Sequence, residues 1–182
     1  FINGISLKNN TIKNEGVIKI FYSLTSENSR LICLDLSNTK CDEKALKFIS
    51  EKISKNIILQ KLNLSNNSFR KGGGYIKNLL IQESNLKHLN LSYCEINIQF
   101  NMIFEGLAKN KCLKTVDFSG NSIPMKHELL KELQNALIDN HYLMHLILDD
   151  CNIDDIGMSF ISKGLENNHM LKSIIEDRKS VE

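Results

Sequence analysis

Apolar residues recur along the chain with two alternating periods, and the pair of periods repeats every 27 to 30 residues. The first stretch of each unit is apolar at its first, fourth, sixth and eleventh slots and carries Asn or Cys at its ninth. Ile2, Ile5, Leu7, Asn10 and Ile12 fit it, as do Leu59, Leu62, Leu64, Asn67 and Phe69, then Leu86, Leu89, Leu91, Cys94 and Ile96. Leu113, Val116, Phe118, Asn121 and Ile123 follow, then Leu143, Leu146, Leu148, Cys151 and Ile153. The second unit keeps Leu31, Leu34 and Leu36 but has Thr39 and Cys41 in the last two slots, and a seventh begins at Leu171 and Ile174 and fails at Glu176. Apolar residues two apart followed by a polar corner predict a short strand and a turn. The second stretch spaces its apolar residues by three or four, which predicts a helix. Val17, Phe21 and Leu24 show this spacing, as do Leu46, Ile49 and Ile53, or Leu130, Leu133 and Leu137.

Repetition at a fixed period decides the fold. A strand that rejoins a parallel neighbour through a helix makes a right-handed crossover. Helices need about 10 Å each against about 4.8 Å per strand, so the stack curves with its helices outside. The expected fold is α/β, a right-handed solenoid with a parallel concave β-sheet and convex helices. It forms one domain over 1–182, with six repeats starting near 2, 31, 59, 86, 113 and 143 and a partial seventh from 171. Six residues past the ninth slot stand the small residues Gly16, Ala45, Gly73 and Gly157, with Phe100 and His127 breaking the column. Three before the first slot stand Asn28, Asn56, Asn110, Asn140 and Asn168, with Glu83 departing. Asn tolerates the left-handed conformation, so these are expected to end the helices in it.

The turn after each strand leaves backbone groups inside without ladder partners, at about 1–3 kcal/mol each. Asn10, Thr39, Asn67, Cys94, Asn121 and Cys151 stand at that corner. An Asn amide has two donors and a two-lone-pair acceptor on a short stem, so stacked asparagines are expected to bond their own turn and the next. Cys and Thr are smaller donors between them. On this reading Asn67→Ala costs ~1–3 kcal/mol, whereas the neighbouring Asn66→Ala is near neutral.

Repeats of this length, with full helices and an Asn/Cys alternation at the ninth slot, resemble the ribonuclease-inhibitor-like subfamily of leucine-rich repeats. The stretch Cys151-Asn152-Ile153-Asp154-Asp155-Ile156-Gly157, followed by Leu165, Asn168 and Leu171, is especially similar to it. The resemblance covers almost the whole chain and implies a horseshoe arc whose large surface holds other proteins. The subfamily spans ribonuclease inhibitor, innate-immune sensors, tropomodulin, Ran GTPase-activating proteins and ciliary scaffolds, so no single activity follows. Such solenoids carry polar capping units; neither end shows one, and the chain is expected to be a fragment of a longer protein.

Strand residues alternate, which directs the third and fifth slots to the concave side and the fourth to the core. The third-slot column reads Gly4, Cys33, Lys61, His88, Thr115, His145 and Ser173, and the fifth Ser6, Asp35, Asn63, Asn90, Asp117, Ile147 and Ile175. Candidate protein-binding residues are therefore Lys61, Asn63, His88, Asn90, Thr115, Asp117, His145 and Ile147, with Tyr93 and Asp149 on the turn lip. Where Met144 adjoins Ile147 the face becomes apolar, either as a binding patch or as a surface covered by further chain. Asn63-Leu64-Ser65 and Asn90-Leu91-Ser92 match the N-glycosylation sequon on the concave face, where glycans would block it.

Charge and composition add mainly exclusions. Lys and Arg total 23 against 21 Asp and Glu, with no basic run, which argues against nucleic acid. No uncharged apolar run approaches the ~20 residues of a membrane helix. Five widely spaced cysteines without paired motifs read as reduced thiols, favouring the cytosol. Lys outnumbers Arg strongly, and Asn and Ile are abundant, which suggests an AT-rich eukaryotic genome. His88 and His145 lie two repeats apart, and His127-Glu128 lacks the second histidine of a zincin because Lys131 stands there, so no metal is expected. Lys71-Gly72-Gly73-Gly74 lacks the ending of a phosphate loop. No histidine shares a repeat with Cys33 to activate it. Neither a cofactor nor a small-molecule substrate is evident. The expected function is a non-enzymatic scaffold for protein partners in the cytoplasm, in a cytoskeletal or ciliary assembly. The alternative is a GTPase-activating protein resembling the Ran-type leucine-rich-repeat activators, whose guanidinium would come from Arg30, Arg70 or Arg178.

Overall fold

Each strand stretch forms a three-residue strand and each helical stretch a helix. In order these are β1 (Gly4–Ser6), α1 (Lys13–Leu24), β2 (Cys33–Asp35), α2 (Glu43–Lys52), β3 (Lys61–Asn63), α3 (Gly73–Ile81) and β4 (His88–Asn90). Then follow α4 (Phe100–Lys109), β5 (Thr115–Asp117), α5 (His127–Asp139), β6 (His145–Ile147), α6 (Asp155–Leu165) and β7 (Ser173–Ile175). The computed structural model describes residues 2–26, 29–55 and 58–175. Asn28, Asn56, Glu176, Arg178 and the side chain of Ile175 lie outside the described residues.

The strands form one parallel sheet in chain order. Ile5, Leu34, Leu62, Leu89, Val116, Leu146 and Ile174 stand opposite one another as consecutive rungs, in the register read from the sequence. From Leu34 to Leu148 the fourth- and sixth-slot side chains are buried, and the apolar stripes of α1 to α6 close over them. Among the described residues β1 pairs on one side only, with β2, and Ile2 is 73% exposed where Leu59 of the third repeat is fully buried.

At Gly73 the small-residue column makes room for the next repeat. A Cβ on Gly73 would lie 2.5 Å from the Cβ of Gln99 and 2.8 Å from its carbonyl oxygen, so the next repeat enters α4 against bare backbone. Phe100 breaks the column by turning its ring into the core, 5.6 Å from Phe104 and 6.5 Å from Phe118. His127 breaks it by staying exposed, its ring centroid 5.1 Å from that of Phe160 in an edge-to-face arrangement.

The helix-ending asparagines differ from expectation. Asn110 (φ −71°, ψ 131°) and Asn140 (φ −83°, ψ 111°) are extended, not left-handed. Their side chains solve the corner instead. The Asn110 Oδ1 accepts from the Cys112 and Leu113 amides at 3.1 and 2.8 Å, while its Nδ2 donates to the Leu80 carbonyl at 2.7 Å. Asn140 and Asn168 do the same one and two repeats later, bonding Leu107 and Leu137. Each ties its corner to a carbonyl in the last turn of the previous repeat's helix, a bond that a left-handed backbone alone would not make.

One column of left-handed residues occupies the eighth slot, and Lys40, Glu95 and Asn152 are left-handed at the tenth. Asn9, Asn38, Asn66, Tyr93, Gly120 and Asp150 have φ between 50° and 66°. That conformation costs roughly 1–2 kcal/mol for most residues, and Gly and Asn tolerate it best. Asn66→Ala is therefore expected to cost about 1 kcal/mol rather than nothing. Thermal denaturation checks this, with Asn66→Gly expected to melt like the parent; an unshifted Asn66→Ala would remove the backbone account.

Candidate functional site

The third- and fifth-slot columns meet in a trough of about 550 Å³ along the concave face, running from Gly4 to Ile147. Lys61, Asn63, His88, Asn90, Thr115 and Asp117 line its middle, with Ile147 at one end. His145 stands in the same third-slot column, paired with Thr115 across the sheet, and its Nδ1 lies 2.8 Å from the Ser173 hydroxyl. Tyr93 lies on the lip, 48% exposed, and lines a second hollow with Asn66 and Glu95. Asp149 is on the same lip, half-buried. The candidate residues thus fall on one face and its rim, as separate rungs rather than one crevice.

The fifth-slot side chains have a structural task that sequence reasoning missed. The Oδ1 of Asn63 accepts from the Ser65 amide at 3.0 Å, and that of Asn90 from the Ser92 amide at 2.8 Å and its hydroxyl at 2.7 Å. Asp35 holds Ser37 and Asp117 holds Ser119 in the same way. These are Asx turns, in which the side chain bonds its own backbone two residues on. The sequon-like Asn-Leu-Ser stretches are this turn. A backbone N–H can only donate, so the acceptor must be Oδ1, and the orientation of both amides is fixed.

The Lys61 and His88 side chains make no hydrogen bond or ion pair among the described residues, though the two are strand neighbours. Burial pushes the His88 imidazole below its ordinary value, with further push from the Lys61 ammonium and from His145. These effects favour the uncharged imidazole.

Behind the face runs the ninth-slot ladder. The Asn67 Nδ2 donates to the Leu36 and Leu64 carbonyls, both at 2.9 Å, and its Oδ1 accepts from the Thr39 and Cys41 amides at 3.1 and 3.2 Å. Asn121 repeats this on Leu91, Phe118, Cys94 and Ile96. Each asparagine reaches its own turn and the preceding one, not the next. Asn10, in the first repeat, bonds only its own turn among the described residues, at Leu7 and Lys8. Between them Thr39 donates to Leu36, Cys94 to Leu64 and Cys151 to Phe118. Burial pushes the Cys94 and Cys151 thiols up to about 12 and Cys41 to about 11, so all three keep their protons at neutral pH.

Of the arginines, Arg70 lies on the strand-to-helix lip with its Nε 2.6 Å from Glu95, and Arg30 is exposed on the opposite lip. Among the described residues no three His, Cys, Asp or Glu side chains gather in a group that could hold a metal ion. No described helix is long and apolar enough to cross a membrane.

Family models described as leucine-rich repeat match residues 59–79, 82–97 and 139–162, which fall on the strand–turn–helix units above. The chain is a leucine-rich repeat protein. Relatives place the same repeats in larger proteins. The human "Capping protein, Arp2/3 and myosin-I linker protein 3" is 31% identical over 146 residues, covering 76% of this chain and 10% of the relative. The mouse "NACHT, LRR and PYD domains-containing protein 4E" is 30% identical over 190 residues, covering 94% of this chain and 19% of the relative. This leucine-rich repeat chain therefore spans between a tenth and a fifth of the curated relatives it matches. Among solved structures, "Leiomodin-1 Actin-Binding Site 2 (ABS2)" superposes with a TM-score of 0.58 at 20% identity, covering 74% of this chain and 80% of that one, a likeness of fold.

Proposed function

We propose that this leucine-rich repeat chain is a non-enzymatic protein-interaction scaffold of the ribonuclease-inhibitor-like type, working in the cytoplasm on a cytoskeletal assembly. It binds through the concave face and turn lips. The observation that carries the reading is a continuous, curved sheet face whose polar side chains stand in columns with unspent hydrogen-bonding groups, Lys61, His88, Asn90 and Asp117 among them. A surface of this kind offers many separate contacts and no convergent reactive centre. The free thiols, three of them buried, support the compartment, and the similarity to a protein named for linking capping protein, Arp2/3 and myosin-I supports the assembly.

The test is retention of purified capping protein, Arp2/3 complex and myosin-I on the immobilised chain, followed by alanine substitution at Lys61, His88, Asp117 and His145. At least one protein is expected to be retained, and at least one substitution to weaken it about tenfold, near 1.4 kcal/mol. Unchanged binding by all four variants moves the interface to the convex helices. Retention of none of the three withdraws the cytoskeletal assignment.

A further inference from the structure

The Asx turns decide what the concave face can recognise, and this inference rests on the concave-face reading above. An asparagine side chain in solution offers both a donor and an acceptor. At Asn63 and Asn90 the acceptor is spent on Ser65 and Ser92, and neither Nδ2 has an acceptor of its own among the described residues. Lys61 adds an ammonium without an anionic partner, in the rung beside His88. The middle of the trough is therefore a cluster of unmatched donors on two adjacent strands. One repeat to either side the chemistry reverses. Asp35 and Asp117 spend Oδ1 on the same turn and keep Oδ2, which for Asp35 receives only the Ser6 hydroxyl at 3.4 Å and for Asp117 has no partner among the described residues. Along the solenoid the face thus reads acceptor, donor, donor, acceptor.

We infer that this face takes a protein segment with two carboxylates in the middle and a basic residue on each side. Strand spacing sets the pitch of that pattern. Rungs about 4.8 Å apart correspond to about 3.2 residues of a helix rising 1.5 Å per residue. A basic residue, two acidic ones and a second basic one in the order Lys-x-x-Glu-x-x-x-Glu-x-x-Lys share one helical face and meet Asp35, Asn63, Asn90 and Asp117 in turn. A helix is about 10 Å across with its side chains, and the trough it would lie along is open to solvent on the concave face. The reversed pattern sets carboxylate against carboxylate at the flanks and ammonium against Lys61 in the centre, which selects against it.

The experiment uses two alanine-based helical peptides of identical composition and zero net charge. One carries Lys-x-x-Glu-x-x-x-Glu-x-x-Lys and the other Glu-x-x-Lys-x-x-x-Lys-x-x-Glu. Binding is followed by NMR through the side-chain amide signals of Asn63 and Asn90, with the buried Asn67 and Asn121 amides as internal controls. The first peptide is expected to bind at least about tenfold more tightly and to shift the Asn63 and Asn90 signals. The double variant Asn63→Asp/Asn90→Asp keeps the Asx turn, since Asp35 and Asp117 already make it, and is expected to lose or invert the preference. Equal binding of both peptides, a preference unchanged in the double variant, or no binding of either at millimolar concentration overturns the inference. A cytoskeletal partner that responds to the alanine substitutions while the peptides bind equally keeps the concave-face reading and removes only the charge pattern.

Discussion

Asn121→Asp is expected to destabilise the protein by about 3–5 kcal/mol, whereas the same substitution at Asn90 leaves it nearly unchanged. The two side chains lie one repeat apart and both serve a turn. Asn121 is fully buried, and its Nδ2 donates to the carbonyls of Leu91, Phe118 and Ser119 at 2.8, 2.7 and 3.3 Å. An aspartate would set an oxygen against those carbonyls, either as a buried carboxylate or as an acid that satisfies one of them. Asn90 uses only its acceptor, and Asp117 shows that a carboxylate serves equally well in that slot. At about 2–4 °C per kcal/mol for a chain of this size, the melting temperature of Asn121→Asp should fall by roughly 10 °C. Calorimetry of both variants checks this, and equal shifts would mean the ladder is not what holds the turns.

Phe100→Ala is expected to cost about 3–5 kcal/mol, the range of large-to-small changes in packed cores. Phe100 fills the place where four other repeats put glycine or alanine, and it is 1% exposed. Its removal takes away the ring contacts with Phe104 and Phe118 and leaves a cavity between α4 and β5 that their rigid backbones cannot close. A solenoid repeat contacts chiefly its neighbours, so the loss should show locally. Urea unfolding should move to lower denaturant, and hydrogen exchange should quicken in α4 and its neighbours before α1. An unmoved unfolding midpoint would show that the ring is not a core element.

The strand register, the helical faces and the rung columns were legible because one apolar pattern serves both periods, and a one-residue slip would turn Leu62 or Leu89 to solvent. The candidate residues lay on one face for the same reason. What stayed hidden depends on which atoms of a side chain are spent. Asn63 and Asn90 present an ordinary Asn-Leu-Ser stretch, and only the direction of the serine N–H shows that the oxygen is taken. Asn110 and Asn140 look like left-handed helix ends by propensity, but their side-chain bonds outweigh that preference and leave the backbone extended. The eighth-slot column holds the residues that favour positive φ at Asn9, Asn38, Asn66, Gly120 and Asp150, yet Tyr93 interrupts it. Gly120 gives the signal for that exception, because a Cβ there would lie 2.2 Å from the Tyr93 ring. The backward reach of Asn67 and Asn121 is set by side-chain rotation, which no spacing records.

That backward reach makes the solenoid unevenly stitched. The Asn67 side chain reaches the second repeat at Leu36, Thr39 and Cys41, whereas the Cys94 side chain reaches the third only at the Leu64 carbonyl among the described residues. Asn121 and Cys151 repeat the alternation. The unit of growth is accordingly a doublet, a Thr or Cys repeat with the Asn repeat that completes it. Duplications and deletions that respect doublets preserve every stitch, while gain or loss of a single repeat sets like against like at the junction and strands an amide.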